Sequence, residues 1–215
     1  MIKDSGAFLA GLARHPARIG AVAPSSARLA EQVAAPVAEH GEPLVVELGP
    51  GTGAVTKTIQ HRLAGRGLHL AVEIDPRFAE RLRERFPTVQ VVVADAAELP
   101  DLLATLGLPR AHAIVSGLPW AVLRPDVQQR LMAAVTDGLD PDGAFTTFAY
   151  VHSRWTPAGL RLRHLLRDTF EEVVLGRTVW ANLPPALVYH TRRPRHASRT
   201  ARALADSARL DPSWA

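Results

Sequence analysis

From residue 44 onward, short continuous apolar runs alternate with amphipathic stretches, and this alternation admits very few architectures. Residues 44–48 (LVVEL), 68–74 (LHLAVEI), 89–94 (VQVVVA), 111–116 (AHAIVS) and 143–150 (GAFTTFAY) read as strands. Runs without a polar face are what a parallel sheet covered on both sides requires. Helical patterns lie between them at 55–63, 76–86, 98–106 and 125–137, and another follows at 157–169. Asp75 is placed to cap the second of these and Pro76 to open it. The ending breaks the rhythm, because residues 171–179 and 186–191 read as two strands with no helix between. Strand–helix alternation of this kind predicts an α/β fold with a doubly wound and mostly parallel sheet. At 215 residues the chain suffices for one well-buried domain.

Composition removes several classes of function. The chain has no cysteine, which excludes a disulfide framework, a thiolate metal site and a cysteine nucleophile. No metal is expected. No apolar run approaches the roughly 20 residues needed to span a bilayer, and the first residues lack a signal-peptide core. A cytoplasmic protein is expected, with contact at the inner face of the membrane. The formal net charge is +4, and the excess is arginine set in local groups: Arg14 and Arg18, then Arg161, Arg163 and Arg167, then Arg192, Arg193, Arg195, Arg199 and Arg202. Such groups suit an anionic partner, either lipid headgroups or nucleic acid.

The chemistry sits at the predicted strand ends. The first strand runs into Glu47-Leu48-Gly49-Pro50-Gly51-Thr52-Gly53. Glycines in that turn let the backbone reverse sharply and approach a ligand, at the positive end of the next helix. The second strand ends Glu73-Ile74-Asp75, with Glu73 twenty residues past Gly53; a carboxylate there can accept from two ribose hydroxyls. The third ends Asp95-Ala96, where a carboxylate can accept from an adenine amine or cap the following turn. The G-x-G-x-x-G spacing is absent, since residue 56 is Thr, and there is no P-loop lysine. Glu47 would repel a pyrophosphate and attract a sulfonium or ammonium. The expected cofactor is S-adenosylmethionine, held by Glu47, Gly49, Pro50, Gly51, Thr52, Gly53, Glu73, Ile74, Asp95, Ala96 and Ser116.

The fourth strand ends Ser116-Gly117-Leu118-Pro119-Trp120. This turn resembles the Asn/Asp/Ser-x-x-Pro-aromatic turn of methyltransferases that modify amines. With the earlier segment Gly20-Ala21-Val22-Ala23-Pro24-Ser25-Ser26 and the later Trp180-Ala181-Asn182-Leu183-Pro184-Pro185-Ala186, the chain resembles the bacterial phospholipid N-methyltransferases. These are related to the rRNA adenine dimethyltransferases within the class I, Rossmann-like enzymes. The resemblance implies a seven-stranded sheet closed by a C-terminal antiparallel hairpin, with an N-terminal helical extension. It also implies stepwise methylation of phosphatidylethanolamine toward phosphatidylcholine, with S-adenosylhomocysteine as the other product. Three regions are expected: residues 1–40 as a helical lid or membrane contact carrying Phe8, Leu9 and Leu12; 41–193 as the cofactor-binding domain; and 194–215 as a basic tail.

The resemblance places Ser116, Leu118 and Trp120 beside the acceptor amine, and Tyr150 ends the fifth strand nearby. Trp120 has a core position as its alternative. Ser25, Ser26, His152, Arg154, Arg177, Trp180 and Asn182 are candidates for holding the substrate, the cations by charge-assisted bonds to its phosphate and the aromatics by facing the methylated ammonium. An rRNA or nucleobase methyltransferase, an enzyme for a soluble amine, and a non-enzymatic binding module on the same fold are the other readings. The short stretch after Arg193 argues against the first, since the RNA enzymes carry a helical domain there. The intact glycines, Glu73 and Asp95 argue against the last.

Overall fold

The computed structural model describes residues 25–195. The elements in order are α1 (Ala27–Val33), β1 (Leu44–Leu48), α2 (Ala54–Leu63), β2 (Leu68–Glu73), α3 (Pro76–Arg85), β3 (Gln90–Val93), α4 (Leu99–Thr105), β4 (Ala111–Ser116), α5 (Pro125–Gly138), β5 (Leu139–Tyr150), α6 (Pro157–Thr169), β6 (Phe170–Leu175) and β7 (Ala186–Pro194). Short 3₁₀ turns occupy Ala96–Glu98, Trp120–Val122 and Val151–Trp155. The strands form one seven-stranded sheet in the order β3-β2-β1-β4-β5-β7-β6. β1 to β5 pair in parallel, and β7 runs antiparallel to both β5 and β6. The order reverses between β1 and β4, so a crevice opens at the carboxyl ends of these strands.

Among the described residues, each face of the sheet carries three helices. α1, α2 and α3 cover one face, burying Leu29, Val33, Val55 and Ile59 against Val45, Val115 and Val188, and Leu82 against Ala71 and Val91. α4, α5 and α6 cover the other, burying Leu99, Leu131, Val135 and Leu162 against Val46, Leu70, Ile114 and Phe145. β1 is buried along its whole length because it lies in the centre with helices on both sides. α1 is fixed by Ser26, whose hydroxyl accepts from the Leu29 N–H at 3.2 Å. At its other end the Thr146 hydroxyl donates to the Val33 carbonyl at 2.6 Å. Phe8, Leu9, Leu12, Arg14, Arg18 and residues 20–24 lie outside the described residues, as do Arg199 and Arg202.

Several boundaries differ from the sequence expectation, and β7 runs on to Pro194 rather than ending at 191. β5 starts at Leu139 rather than 143, because Asp140–Gly143 form a bulge: pairing jumps from Ala111↔Leu139 to Ala113↔Ala144. Inside it the Asp142 N–H is held by Asp140 Oδ1 at 2.9 Å. β6 ends at Leu175, and Val179 makes only an isolated bridge to Ala186. β3 is the short edge strand, Gln90–Val93, and its apolar run stops being buried where no further strand follows. No helix among the described residues is long and apolar enough to cross a membrane.

Candidate active site

The turn after β1 holds Gly49, Gly51 and Gly53 at φ of 68°, 54° and 81°, a left-handed backbone that side chains disfavour. The Gly49 N–H donates to the Val72 carbonyl at 2.9 Å, which ties the turn to β2. Gly53 caps α2 without a side-chain bond, so the first N–H groups of that helix have no side-chain cap. Glu73 braces the turn from below. Its Oε2 accepts from the Gly51 N–H and its Oε1 from the Asp75 N–H, both at 3.0 Å. Burial raises its pKa, backbone bonds from Asp75, Gly51 and Ile74 oppose that rise, and the Asp75 charge adds to it. Asp75 itself is the cap of α3, accepting from the Arg77 N–H at 2.9 Å.

These residues suit S-adenosylmethionine. A side chain built on Gly51 would meet nothing within 4 Å, so the space above the turn is open. A carboxylate has about four lone-pair sites, and beyond the backbone bonds from Gly51, Asp75 and Ile74 Glu73 keeps acceptor capacity for a ribose hydroxyl. Ile74 supplies half-buried apolar surface beside them. Asp95 has the capping role that the sequence left open: Oδ1 accepts from the Ala97 N–H at 3.0 Å. Its Oδ2 lies 3.3 Å from Arg130 Nη2. Ala96 is buried at the start of that turn. Thr52 is exposed, and its carbonyl accepts from Arg85 at 3.1 Å.

Glu47 departs from expectation. It is buried beneath α2, where Oε2 accepts from the Thr56 hydroxyl at 2.8 Å and lies 3.2 Å from His69 Nε2. The His69 ring continues to Gln60 at 3.0 Å, and Gln60 to Thr88 at 2.8 Å. A direct attraction between Glu47 and a ligand cation is therefore replaced by a polar chain that starts at the buried Glu47 and His69 and ends at the exposed Thr88. Glu47 Oε1 is buried with no hydrogen-bond partner among the described residues.

On the acceptor side, two strand-end turns lean on each other. The Gly117 N–H donates to the Leu48 carbonyl at 2.8 Å. A Cβ on Gly117 would come within 2.5 Å of the Gly49 carbonyl oxygen. Leu118 fills the space beside Gly49, which explains that glycine by packing as well as by ligand approach. Trp120 corrects the sequence expectation. It is fully buried, its indole N–H donates to Ser116 Oγ at 2.9 Å, and its ring meets Phe145 edge-on at 5.7 Å. It is a core residue because the chain turns inward after Pro119. Ser116 is likewise fully buried, and its oxygen also accepts from the Leu118 N–H at 3.3 Å. It shapes the turn and does not face an amine.

The wall opposite this turn is aromatic. Tyr150 meets Phe148 edge-on at 5.8 Å and stacks on His152 at 5.7 Å. These rings line a pocket with Gly117, Pro119, Ala121 and Val122. Phe148 went unnoticed in the sequence, although its place two residues before Tyr150 on one strand put both on one face. Burial raises the Tyr150 phenol, so it stays protonated at neutral pH.

The remaining candidates divide. The buried Asn182 accepts from the Ser26 N–H at 2.8 Å and donates to the Pro184 carbonyl at 2.8 Å. Segments 156 residues apart are thereby joined, and both side chains are committed to structure. Ser25 is half-buried just before α1. His152 reaches the pocket, Arg154 lies over the Trp155 ring at 5.7 Å, and Arg177 and Trp180 are exposed on the β6–β7 loop.

Strand order, the reversed β7 and a crevice flanked by the glycine turn and Glu73 define a Rossmann-like methyltransferase fold of class I. Solved structures agree on the fold. The spermidine synthase bound to the transition-state analogue AdoDATO superposes with a TM-score of 0.65 at 14% identity, covering 79% of this chain and 61% of that one. A TehB-like SAM-dependent methyltransferase from Corynebacterium glutamicum gives 0.57 at 16%, covering 88% and 97%. Residues 45–143 match the methyltransferase domain family. Over 197 residues the chain is 34% identical to the ornithine lipid N-methyltransferase of Singulisphaera acidiphila, covering 89% of this chain and 97% of that protein. The chain thus belongs to the S-adenosylmethionine-dependent methyltransferases. A probable ribosomal RNA small subunit methyltransferase A of Pyrobaculum islandicum is 36% identical over 97 residues, 43% of this chain and 37% of that protein.

Proposed function

We propose that this enzyme methylates an amine carried by a membrane lipid. The observation that carries the reading is the span of the likeness. The ornithine lipid enzyme matches along 97% of its length, whereas the ribosomal RNA enzyme of Pyrobaculum matches over 37% of its own. The acceptor side supports it, since a pocket walled by Phe148, Tyr150 and His152 suits an ammonium that gains methyl groups and loses hydrogen-bond donors.

Bound S-adenosylmethionine supplies a methyl group on a sulfonium, a leaving group that needs no protonation. The chain's own task is positioning. Glu73 and the glycine turn fix the ribose and the adjoining chain of the cofactor, and the turn after β4 brings the amine alongside. A lipid ammonium must lose its proton before it can react. Neutral Tyr150 can accept a hydrogen bond from the amine, and His152 beside it can take the proton or pass it to water. Ser116 and Trp120 act indirectly, by holding the turn rigid.

The test is a panel of acceptors offered with labelled cofactor: ornithine lipid, phosphatidylethanolamine, a soluble short amine and ribosomal RNA, with products resolved by mass. Methylation of one or both lipids is expected. The phosphatidylethanolamine arm decides the headgroup expected from the sequence. Methylation of RNA alone, or of the soluble amine alone, would replace this function.

A further inference from the structure

The mouth of the acceptor pocket carries more exposed apolar surface than catalysis explains. Among the described residues, Trp180 is 75% exposed, Trp155 70% and Leu183 65%. Val122 and Leu160 are exposed too. All five sit on segments at the carboxyl edge of the sheet. Val122 is in the 3₁₀ turn after β4 and itself lines the pocket. Trp155 ends the 3₁₀ turn after β5, whose His152 and Ser153 also line it. Leu160 is in the first turns of α6, which pack on the Trp120–Val122 turn. Trp180 and Leu183 are on the β6–β7 loop, bound to the same rim by the Val151 N–H donating to the Pro185 carbonyl at 2.8 Å. The other large exposed apolar residues, Val93, Val174 and Leu175, lie on edge strands β3 and β6.

Along β5 to β7 the segments of this rim carry charge of one sign, while beside Val122 Arg124 is paired with Asp126 at 3.1 Å. Between Asp142 and Asp168 the sequence has no acidic residue and four arginines, Arg154, Arg161, Arg163 and Arg167. From Val173 to Arg195 it again has none, and Arg177 stands on the loop itself. Exposed tryptophans beside arginines and without acids are the composition of a surface that meets headgroups and the outermost acyl carbons. Anionic lipids complement the arginines. A second copy of this chain does not, because a two-fold contact would set the same arginines against themselves. RNA would satisfy the charge but leave Leu183, Leu160 and Val122 in water.

We propose that this rim docks the enzyme on an anionic bilayer, with Trp155, Trp180 and Leu183 at headgroup depth and the acceptor pocket opening toward the membrane. The docking extends the lipid-amine reading of the acceptor and is measurable apart from it. The enzyme then draws its substrate from the bilayer without lifting the acyl chains into water.

The experiment uses the full chain and sucrose-loaded vesicles of phosphatidylcholine, with and without phosphatidylglycerol. Wild type is compared with Trp155→Ala/Leu183→Ser, two exposed positions whose thermal unfolding should match wild type. Wild type should bind the anionic vesicles and lose binding in high salt. The double variant should partition at least about tenfold less. Its methylation of vesicle-borne amine lipid should fall in step, while transfer to a short-chain monomeric amine lipid persists. Equal vesicle partitioning of variant and wild type would overturn the proposal. So would RNA binding without vesicle binding, or self-association that the double variant abolishes in the absence of vesicle binding. Rim-dependent vesicle binding by an enzyme that methylates no lipid would uphold the docking and refute the acceptor reading.

Discussion

Replacing Glu73 by Ala separates cofactor binding from folding, because the structure gives this side chain two different jobs. Toward the protein it accepts from the N–H groups of Gly51 and Asp75. Toward the ligand, the ribose role would use the acceptor capacity left after those backbone bonds. Two hydroxyl bonds to a carboxylate are each worth about 1.5–3 kcal/mol, so their loss removes about 3–6 kcal/mol, or roughly two to four powers of ten in affinity. Stability should change much less. Leaving the buried Asp75 N–H unpaired costs about 1–3 kcal/mol, and removing a carboxylate that burial disfavours offsets part of that. Gln is a poorer test, since its amide would point a donor at one of those N–H groups. Titration calorimetry with S-adenosylhomocysteine measures the affinity, and thermal unfolding checks the fold. A natively folded variant that binds within about threefold of wild type would refute the ribose role.

The same group sets a pH signature. Burial holds the Glu73 pKa above its unfolded value, so the folded state favours the protonated acid. Its contribution to stability is present below the unfolded pKa and is lost as pH rises through the folded one. Ligand binding requires the ionised form and runs the other way. Cofactor affinity should fall as pH drops through the raised pKa, and this component should vanish in Glu73→Ala.

Three further outcomes are expected. Gly117→Ala sets a methyl group within 2.5 Å of the Gly49 carbonyl oxygen, so it should cost about 1–3 kcal/mol in denaturant unfolding and weaken cofactor affinity in calorimetry. Trp120→Phe removes the indole bond to Ser116 and leaves a void; unfolding should show a loss of about 1–3 kcal/mol, with kcat falling more than cofactor affinity. Asn182→Ala breaks the joint between the β6–β7 loop and α1. It should raise the acceptor KM and leave cofactor affinity unchanged, with a stability loss of about 1–3 kcal/mol.

The cofactor side was legible in the sequence because its determinants are local. Gly49 to Gly53 follow β1 directly, and Glu73 and Asp75 sit where an apolar run meets a proline-opened helix. The acceptor side was legible only in outline. An aromatic after a Ser-x-x-Pro turn can point into a core or a cleft, and only the packing of Phe145 against Trp120 decides between them. Glu47 looked ligand-facing because it stands two residues before the turn, but its strand parity puts it under α2 with His69. The Ser26–Asn182 bond spans 156 residues, and no local pattern announces it. The bulge at Asp140–Gly143 hid the start of β5, because Asp, Pro and Gly read as a turn before a strand.

That long-range bond also orders events in time. The candidate cofactor groups from Gly49 to Asp95 precede the fourth strand, and β1 to β4 are complete at Ser116. The acceptor mouth is not complete until residues 180–186 have emerged and Asn182 has reached back to the head of α1. On a ribosome, the candidate donor side of the crevice is therefore made before the loop that closes the candidate acceptor side.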